Sequence, residues 1–450
     1  MSRPVLSGGT VVTSFDPVRI LTGDVVVEGG RVASVASAPP AVGERRECSG
    51  CLVLPGNVCA HTHLYSALAR GMPYALEPPG NFVEILQRVW WRLDRALDED
   101  AVRASALVGG MEALLSGTTT LIDHHASPNS IDGSLDVIAE SLQAVGIRSV
   151  LCYETSDRDG PERARAGVAE NRRFLERVRR EPPVLARGLV GAHASFTLSN
   201  ETLAACTQAA ADFGVGLHVH AAEDAADERD AEALYGLRVA ARLARAGALD
   251  ERTLLAHGVH LDDEEIDLVR AAKAAVAHNA RSNMNNSIGR ARVTAFGETI
   301  ALGTDGIGSD MFEESRSAYF RLCEDDNTAG VDWPLERLAE GARLAGRIFG
   351  ESQLGVLEPG ASADLVVLDY AAPAPVRESS FAGHWVFGLS SRHVRDVMVA
   401  GEWAVVDRRL TRVDQEELAA DAAREAERLW RRLDEIAPHE FEPKGGRRWP

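Results

Sequence analysis

The chain has 450 residues, of which 45% are apolar and 26% are charged, a balance that supports a large buried core and excludes an intrinsically disordered protein. Its formal net charge of -19 argues against binding nucleic acid through a broad basic surface. No stretch approaches the roughly 18 uninterrupted apolar residues of a membrane span, and the six cysteines are too sparse for a disulfide scaffold, so we predict a cytoplasmic protein.

The first fifty residues predict short β-strands. β-branched runs occupy 10–13, 24–28 and 31–35, and Gly29-Gly30 between the last two is typical of a hairpin turn. From residue 52 onward the pattern changes, and short apolar strands alternate with helices. The predicted strands are 52–60, 118–122, 148–153, 185–190, 216–220, 253–256, 274–277 and 300–303, and the predicted helices include 101–115, 162–179, 201–213 and 230–246.

This alternation predicts an α/β fold with a parallel sheet, and eight units predict a closed (β/α)8 barrel, the TIM barrel, over 56–353. The rhythm stops near residue 354, and strands return at 364–368, 394–399 and 402–406. We therefore predict a small β-sandwich domain made jointly by 1–55 and 354–410. The remainder, 411–450, is predicted as a C-terminal helix over 415–436 followed by a tail.

Histidines recur where the predicted barrel strands end. His61 and His63 are two residues apart on the first strand, so their side chains point the same way, towards the face where TIM barrels carry active sites. Ten of the thirteen histidines lie between 61 and 278. Those at the ends of later strands are His125, His193, His220, His257 and His278.

Two carboxylates accompany these histidines. Glu223 lies three residues after His220, and Asp305 ends the eighth predicted strand. An aspartate at the end of an apolar strand is costly to bury unless a cation or strong donors satisfy it. Three imidazoles and a carboxylate suit Zn²⁺, with Fe²⁺ as the second choice.

With these motifs in place, the chain resembles the amidohydrolase superfamily. Within it, the chain is similar to the metal-dependent aminohydrolases and chlorohydrolases, a branch that includes guanine deaminase, S-adenosylhomocysteine deaminase and the triazine hydrolases. The matching motifs are Pro-Gly-Asn at 55–57 ahead of His-Thr-His at 61–63, Gly-Thr-Thr-Thr at 117–120, His220-x-x-Glu223, and the segments 256–261, 282–283, 303–305 and 361–368. Finer matches at 60–72, 90–94, 123–128 and 283–286 resemble the SsnA-type aminohydrolases.

The resemblance implies that His61, His63, His220 and Asp305 hold one divalent metal ion. The fourth strand, 187–193, contains neither Lys nor Glu, whereas two-metal relatives bridge their ions there with a carboxylated lysine, so a one-metal site is expected. The implied catalytic residues are Glu223, His257 and Asp305. In this hypothesis Asp305 takes a proton from the attacking water, His257 orients that water, and Glu223 protonates a ring nitrogen.

The predicted reaction is hydrolytic deamination of an amino-substituted nitrogen heterocycle (a purine, pyrimidine or related ring) with release of ammonia. Ring opening of a cyclic amide, or a chlorohydrolase reaction, at the same mononuclear site is the alternative. The predicted substrate contacts are Glu84, His125 and His193, while Trp90 and Trp91 either stack on the ring or belong to the core. The partner is thus a small-molecule heterocycle rather than a nucleic acid or membrane, and the resemblance implies a homo-oligomer, a dimer or larger.

Overall fold

The computed structural model describes residues 3–36 and 43–444 of the chain. The end of the predicted tail, 445–450, lies outside these described residues. Within the described part, no helix combines the length and the apolar character that crossing a membrane requires.

The strands alternate with helices over most of the chain. The strands are β1 (Pro4–Phe15), β2 (Val18–Glu28), β3 (Arg31–Ala36), β4 (Glu44–Glu47), β5 (Leu52–Pro55), β6 (Asn57–Thr62), β7 (Thr118–His125), β8 (Arg148–Tyr153), β9 (Ala186–Gly188), β10 (Val190–Ala194), β11 (Leu217–Ala221), β12 (Leu254–His257), β13 (Ala275–His278), β14 (Ile300–Leu302), β15 (Leu365–Leu368), β16 (Val394–Val399), β17 (Glu402–Val406) and β18 (Arg409–Leu410).

The helices are α1 (Phe82–Ile85), α2 (Trp91–Ala96), α3 (Glu99–Leu115), α4 (Ser134–Val145), α5 (Pro161–Arg180), α6 (Asn200–Phe213), α7 (Ala225–Tyr235), α8 (Val239–Arg245), α9 (Asp263–Ala272), α10 (Ala280–Asn285), α11 (Met311–Cys323), α12 (Trp333–Phe349), α13 (Phe381–Phe387) and α14 (Gln415–Asp434). One π-helical turn, Leu86–Trp90, joins α1 to α2.

The parallel strands close into the predicted barrel. One hydrogen-bonded group runs β6-β7-β8-β9 and the other runs β10-β11-β12-β13-β14, with β9 and β10 together forming the fourth strand position. Backbone bridges from Thr62 to Asp305 and from Thr155 to Ala192 join the two groups, so the cylinder is complete. This arrangement gathers the carboxyl ends of eight strands at one mouth.

The predicted first barrel strand, 52–60, is in fact two strands that belong to different sheets. β5 pairs with β1 and β15, whereas β6 pairs with β7. Gly56 lies at the crossing, where an added Cβ would come within 2.2 Å of Thr119 Oγ1. The chain can therefore pass between the two sheets only because this position has no side chain.

The predicted helix 230–246 is also divided. It forms α7 and α8, which are separated at Gly236, a residue with the left-handed φ of 65° that is common where helices end. The remaining predicted helices are observed with bounds that differ by one or two residues from the prediction.

Strands from both ends of the chain form one mixed sheet, as predicted. Its order is β18-β17-β16-β15-β5-β1-β2-β3, with β4 paired to β1. Antiparallel pairing of β5 with β15 is what joins the two ends. The C-terminal helix α14 lies against the barrel, where its Leu429 and Leu433 enter the largest apolar core together with Leu114 of α3.

Candidate active site

The four predicted metal ligands meet at the mouth of the barrel. One ligand atom from each of His61, His63, His220 and Asp305 lies within 4.8 Å of the others. His63 Nε2 is 3.1 Å from His220 Nε2 and 3.1 Å from Asp305 Oδ1. His61 Nε2 is 3.7 Å from the same Asp305 oxygen.

The second nitrogen of each ligand imidazole is already engaged, which leaves Nε2 free in all three. The Nδ1 atoms of His61, His63 and His220 contact His218 Nε2 at 2.9 Å, the His124 carbonyl oxygen at 2.5 Å and the His193 carbonyl oxygen at 2.9 Å, respectively. His61 Nε2 is buried without a hydrogen-bond partner among the described residues. Such an atom is costly unless something ligates it, so these residues fit one divalent cation with a zinc-type donor set.

The electrostatics of the cluster suit a cation. Burial lowers the pKa of His61 to about 3, so this imidazole is neutral, as a metal ligand must be. Burial also works to lower the pKa of His63, but the adjacent Asp305 carboxylate outweighs it and raises that pKa to about 9. For Asp305, burial works in the raising direction, and its contacts with His61 and His63 nevertheless hold its pKa well below the ordinary value.

His257 and Glu223 lie beside this cluster. His257 Nε2 is 3.6 Å from Glu223 Oε2 and 4.0 Å from Asp305 Oδ2. Asn283 Oδ1 accepts a hydrogen bond from His257 Nδ1 at 2.8 Å, which places the imidazole proton on Nδ1 and leaves Nε2 as an acceptor. Burial, followed by the Asp305 charge, raises the pKa of Glu223 well above its usual value, so this side chain can hold a proton at neutral pH.

Left-handed backbone conformations occur at the positions that aim these side chains. The φ angles of Ala222, His257 and Asp305 are 48°, 75° and 52°. Non-glycine residues in this region cost on the order of 1 kcal/mol or more each, and they are found where the surrounding structure holds them for function. The strain supports a site that is fixed before substrate arrives.

Two cavities adjoin the cluster. The inner cavity, of about 40 Å³, is lined by His63, Tyr65, Ser66, Phe82, Leu86, Trp90, Trp91, Glu154, His193, His220, Glu223, Asn286, Asp305 and Gly306. A larger outer cavity, of about 850 Å³, shares the lining residues Phe82, Trp90 and Asn286 with it. A ring held in the inner cavity could therefore carry a substituent into the outer one.

Of the three predicted substrate contacts, two line a cavity and one does not. His193 lines the inner cavity, and Glu84 lines the outer one, where its Oε2 accepts from Gly80 N at 2.7 Å. His125 is buried and hydrogen-bonds Ser127 Oγ through Nε2 at 2.9 Å, and it lines neither cavity. Of the two tryptophans, Trp90 lines both cavities, while Trp91 lines the inner one and stacks edge-on against His193.

Two residues near the ligands were not singled out from the sequence. Glu154 follows β8 and lines the inner cavity, and its Oε2 lies 3.4 Å from His124 Nδ1 and 3.9 Å from His63 Nδ1. His124 precedes His125 at the end of β7. A carboxylate that directly follows an apolar strand was the signal that pointed to Asp305, and the same signal is present at Glu154.

The C-terminal part of the described chain packs against the wall of the inner cavity and borders the outer one. We call residues 437–444 the C-terminal strap. His439 N donates to Gln87 O at 2.9 Å, Gln87 Nε2 donates to Phe441 O at 2.8 Å, and the Phe441 ring packs on Trp91 at 5.8 Å. At the end of the strap, Lys444 N donates to Asp230 Oδ1 at 2.6 Å. The strap therefore connects the segment 82–96 to α7.

Comparisons with known proteins identify a family and several full-length relatives. The model of the amidohydrolase family matches residues 52–404. The chain is 32% identical over 425 residues to 5-methylthioadenosine/S-adenosylhomocysteine deaminase of Desulforudis audaxviator, covering 91% of this chain and 95% of that one. It is 29% identical over 446 residues to 5'-deoxyadenosine deaminase of Methanopyrus kandleri, covering 95% and 99%.

Solved structures give the same picture. An adenosine deaminase from Xanthomonas campestris with bound zinc superposes with a TM-score of 0.82 at 25% identity, covering 97% of this chain and 99% of that one. A mutant of atrazine chlorohydrolase from Arthrobacter aurescens, complexed with zinc and atraton, has a TM-score of 0.80 at 25% identity, covering 94% and 100%.

Proposed function

Because this chain belongs to the amidohydrolase family, we propose that it is a metal-dependent aminohydrolase that removes the amino group of a purine-type or related heterocycle as ammonia. One observation carries the proposal. Three imidazole Nε2 atoms and the Asp305 carboxylate converge beside a partly buried glutamate, Glu223, and an oriented imidazole, His257. The relatives reported above are named for deaminating adenosine derivatives, so nucleosides and free bases of this kind are the candidate substrates.

His61, His63, His220 and Asp305 would hold the metal ion. We propose zinc because an adenosine deaminase of related structure contains it, with iron as the second choice. When bound, a zinc ion supplies a Lewis acid that lowers the pKa of coordinated water towards about 7.

Asp305, His257 and Glu223 have separate roles in moving and orienting protons. Asp305 Oδ1 faces the ligand imidazoles, while its Oδ2 accepts a hydrogen bond from Ser282 Oγ and faces His257, so the carboxylate can accept a proton from the attacking water. His257 Nε2 accepts a hydrogen bond from that water and fixes its direction of attack. Glu223 donates its proton to a ring nitrogen, which makes the adjacent amino-bearing carbon electrophilic.

The reaction needs no reactant other than the heterocycle and one water molecule. One water adds to the ring carbon, the C–N bond to the exocyclic amine breaks, and a proton from Asp305 leaves with the amine as ammonia. The added hydroxyl gives its remaining proton to Glu223, which restores the acid, and the ring keeps the oxygen as a carbonyl while the ring nitrogen keeps the first proton from Glu223. We propose His193 and Glu84 as contacts to the ring and to its substituent, respectively, because they line the inner and outer cavities. Direct substrate contact by His125, a homo-oligomeric state and a cytoplasmic location remain predictions.

The test is ammonia release by metal-replete protein, screened over adenine, guanine, adenosine, 5'-methylthioadenosine and S-adenosylhomocysteine. Glu223→Gln should keep one metal ion per chain and lose about 10²-fold or more in kcat, because it removes the proton donor and leaves the ligands intact. Glu176→Gln, on the exposed face of α5, is the control and should match the wild type. Full turnover in Glu223→Gln, or no ammonia from any amino heterocycle, would contradict the proposal.

A chlorohydrolase reaction remains the second candidate, because a zinc-containing atrazine chlorohydrolase mutant is among the similar structures. The same site would then expel halide from a ring carbon instead of ammonia. Assaying chlorinated and aminated forms of one triazine separates the two, since halide release without ammonia release would favour this alternative. Ring opening of a cyclic amide would give neither ion and would appear as a new carboxylate.

A further inference from the structure

Glu154 is a buried carboxylate that the proposed chemistry does not use. It follows β8, the third strand of the barrel, and only 4% of it is exposed although it lines the inner cavity. The third strand faces the seventh across the mouth, so Glu154 stands across the cavity from the side that carries His257 and Asp305. A ring attacked beside Asp305 would present its far edge to Glu154.

One oxygen of the Glu154 carboxylate accepts no hydrogen bond from the described residues. Arg158 Nη1 donates to Oε1 at 3.2 Å, whereas Oε2 receives no hydrogen bond from any described residue. Its nearest imidazoles have their N–H groups elsewhere, because His124 Nε2 donates to the His218 carbonyl at 3.1 Å and His63 Nδ1 donates to the His124 carbonyl. His124 Nδ1 is itself without a partner among the described residues. Glu154 Oε2 can therefore accept a hydrogen bond from an N–H group of a molecule bound in the inner cavity.

His193 offers a second acceptor at the same wall. The hydroxyl of Thr197 donates to the Ala194 carbonyl at 3.1 Å, so it has no proton left for His193. With the Thr197 hydroxyl assigned to that carbonyl, His193 Nδ1 donates to Thr197 Oγ1 at 2.6 Å, and His193 Nε2 carries a lone pair. That nitrogen lies 3.5 Å from Glu154 Oε1 and faces the inner cavity.

The described residues place no Lys or Arg side chain on the wall of the inner cavity beside these acceptors. The guanidinium of Arg158 lies behind Glu154 and is shared with Asp94 and Asp159, which hold it away from the cavity. A carboxylate or phosphate on the substrate would meet like charge here, whereas an N–H group would be matched.

We propose that Glu154 and His193 accept hydrogen bonds from N–H groups on the far edge of the substrate ring, and that Arg158 positions Glu154. The site then selects amino-heterocycles with a free ring N–H, such as lactams and free bases, over rings whose nitrogen carries a sugar. This inference rests on the proposed deamination and names the substrate class within it.

The experiment compares adenine and guanine with their 7-methyl and 9-methyl derivatives, using metal-replete wild type and Glu154→Gln. Sites built to bond an N–H reject analogues that lack it by large factors, so wild-type kcat/KM should fall at least 100-fold when the recognised N–H is methylated. The methylation ratio is kcat/KM for the free base divided by kcat/KM for its methylated derivative. In Glu154→Gln this ratio should be at least tenfold smaller than in the wild type, because activity on the free base is lost. The metal content should be unchanged. Calorimetric binding of hypoxanthine against 9-methylhypoxanthine gives the same comparison without turnover.

Glu176→Gln, on the exposed face of α5, is the matched control, because it makes the same change of side chain outside the cavity lining. It should leave the methylation ratio at the wild-type value. The inference is overturned if Glu154→Gln keeps the wild-type methylation ratio, or if the wild type prefers 9-substituted rings. In either case, ammonia release would still support the deaminase proposal. If no heterocycle releases ammonia, the deaminase proposal fails. Equal binding of hypoxanthine and 9-methylhypoxanthine would then overturn the proposed roles of Glu154 and His193 as well.

Discussion

His218 supports the metal cluster from one layer deeper in the barrel. Its Nε2 lies 2.9 Å from His61 Nδ1, and both side chains are completely buried. Partners of this kind fix the tautomer and the ring orientation of a metal-binding histidine, and their loss weakens metal binding as well as activity. Here the partner is a second imidazole instead of the usual carboxylate or carbonyl, so its own tautomer determines which nitrogen of His61 carries the proton.

We expect His218→Phe to weaken metal binding about 10–100-fold, because it keeps the ring volume and leaves His61 Nδ1 without its partner. Turnover per bound ion should change little once the protein is saturated with metal. Competition against a chromophoric chelator measures the affinity. His384→Phe, in α13, is the control with an equal change of side chain away from the site. Wild-type affinity in His218→Phe would show that the contact has no such role.

Individual ligands could be predicted from the sequence because each ends a strand, and the ends of parallel strands must meet. The strand ends placed a larger set of histidines and Asp305 at one mouth, and the resemblance to the amidohydrolase superfamily selected His61, His63, His220 and Asp305 from that set. In the structure these four side chains lie together. The sequence could not rank His124 against His125, because the register of the strand decides which of two consecutive residues faces the barrel axis. The hydrogen bonds that fix each tautomer depend on groups distant in sequence, such as Asn283 with His257.

At the scale of elements, two segments at the wall of the inner cavity differ in how predictable they are. The helical segment 82–96 carries Trp90 and Trp91, which the sequence already indicated as ring-stacking or core residues. The C-terminal strap has no periodicity, and its contacts are backbone hydrogen bonds with Gln87 and ring contacts of Phe441, which no local pattern encodes. The domain boundary at 55/56 was predicted, but the division of 52–60 into two strands was not, since an unbroken apolar run gives no sign that its two halves join different sheets.

Ending the chain at Ile436 should raise KM more than it lowers kcat. The segment 82–96 would lose the contact of Phe441 with Trp91, which lines the inner cavity, while the catalytic groups on the barrel strands stay in place. Losing the partly buried Phe441 should also lower the free energy of unfolding, by less than the roughly 1.5–3 kcal/mol that fully burying such a side chain provides. Steady-state kinetics and urea unfolding measure the two effects.

A shorter truncation, removing only 445–450, is the control for that experiment and should keep the wild-type KM. Phe441→Ala should reproduce most of the effect of the longer truncation. If the chain ending at Ile436 kept the wild-type KM, the strap would contribute to stability alone and would not shape the cavity.

At the scale of the molecule, the barrel and the mixed sheet share a buried ion pair. Arg148 opens β8, and its Nη2 donates to Asp364 Oδ2 at 3.0 Å and to Ser362 Oγ at 3.1 Å just before β15. Both charged side chains are at most 4% exposed. The pairing of β5 with β15 brings Asp364 to this position, so the ion pair depends on both ends of the chain having assembled.

Arg148→Met should therefore destabilise the whole chain, by about 3–5 kcal/mol, because it leaves the Asp364 carboxylate buried without its partner. The double variant Arg148→Met with Asp364→Asn removes both charges and should recover much of that loss, since no buried charge is left unpaired. The urea midpoints of wild type, both single variants and the double variant measure the coupling. Folded protein of every variant should keep wild-type turnover, because the pair lies at the start of β8, at the opposite end from Glu154. A double variant no more stable than Arg148→Met would show that lost packing, not the unpaired carboxylate, causes the destabilisation.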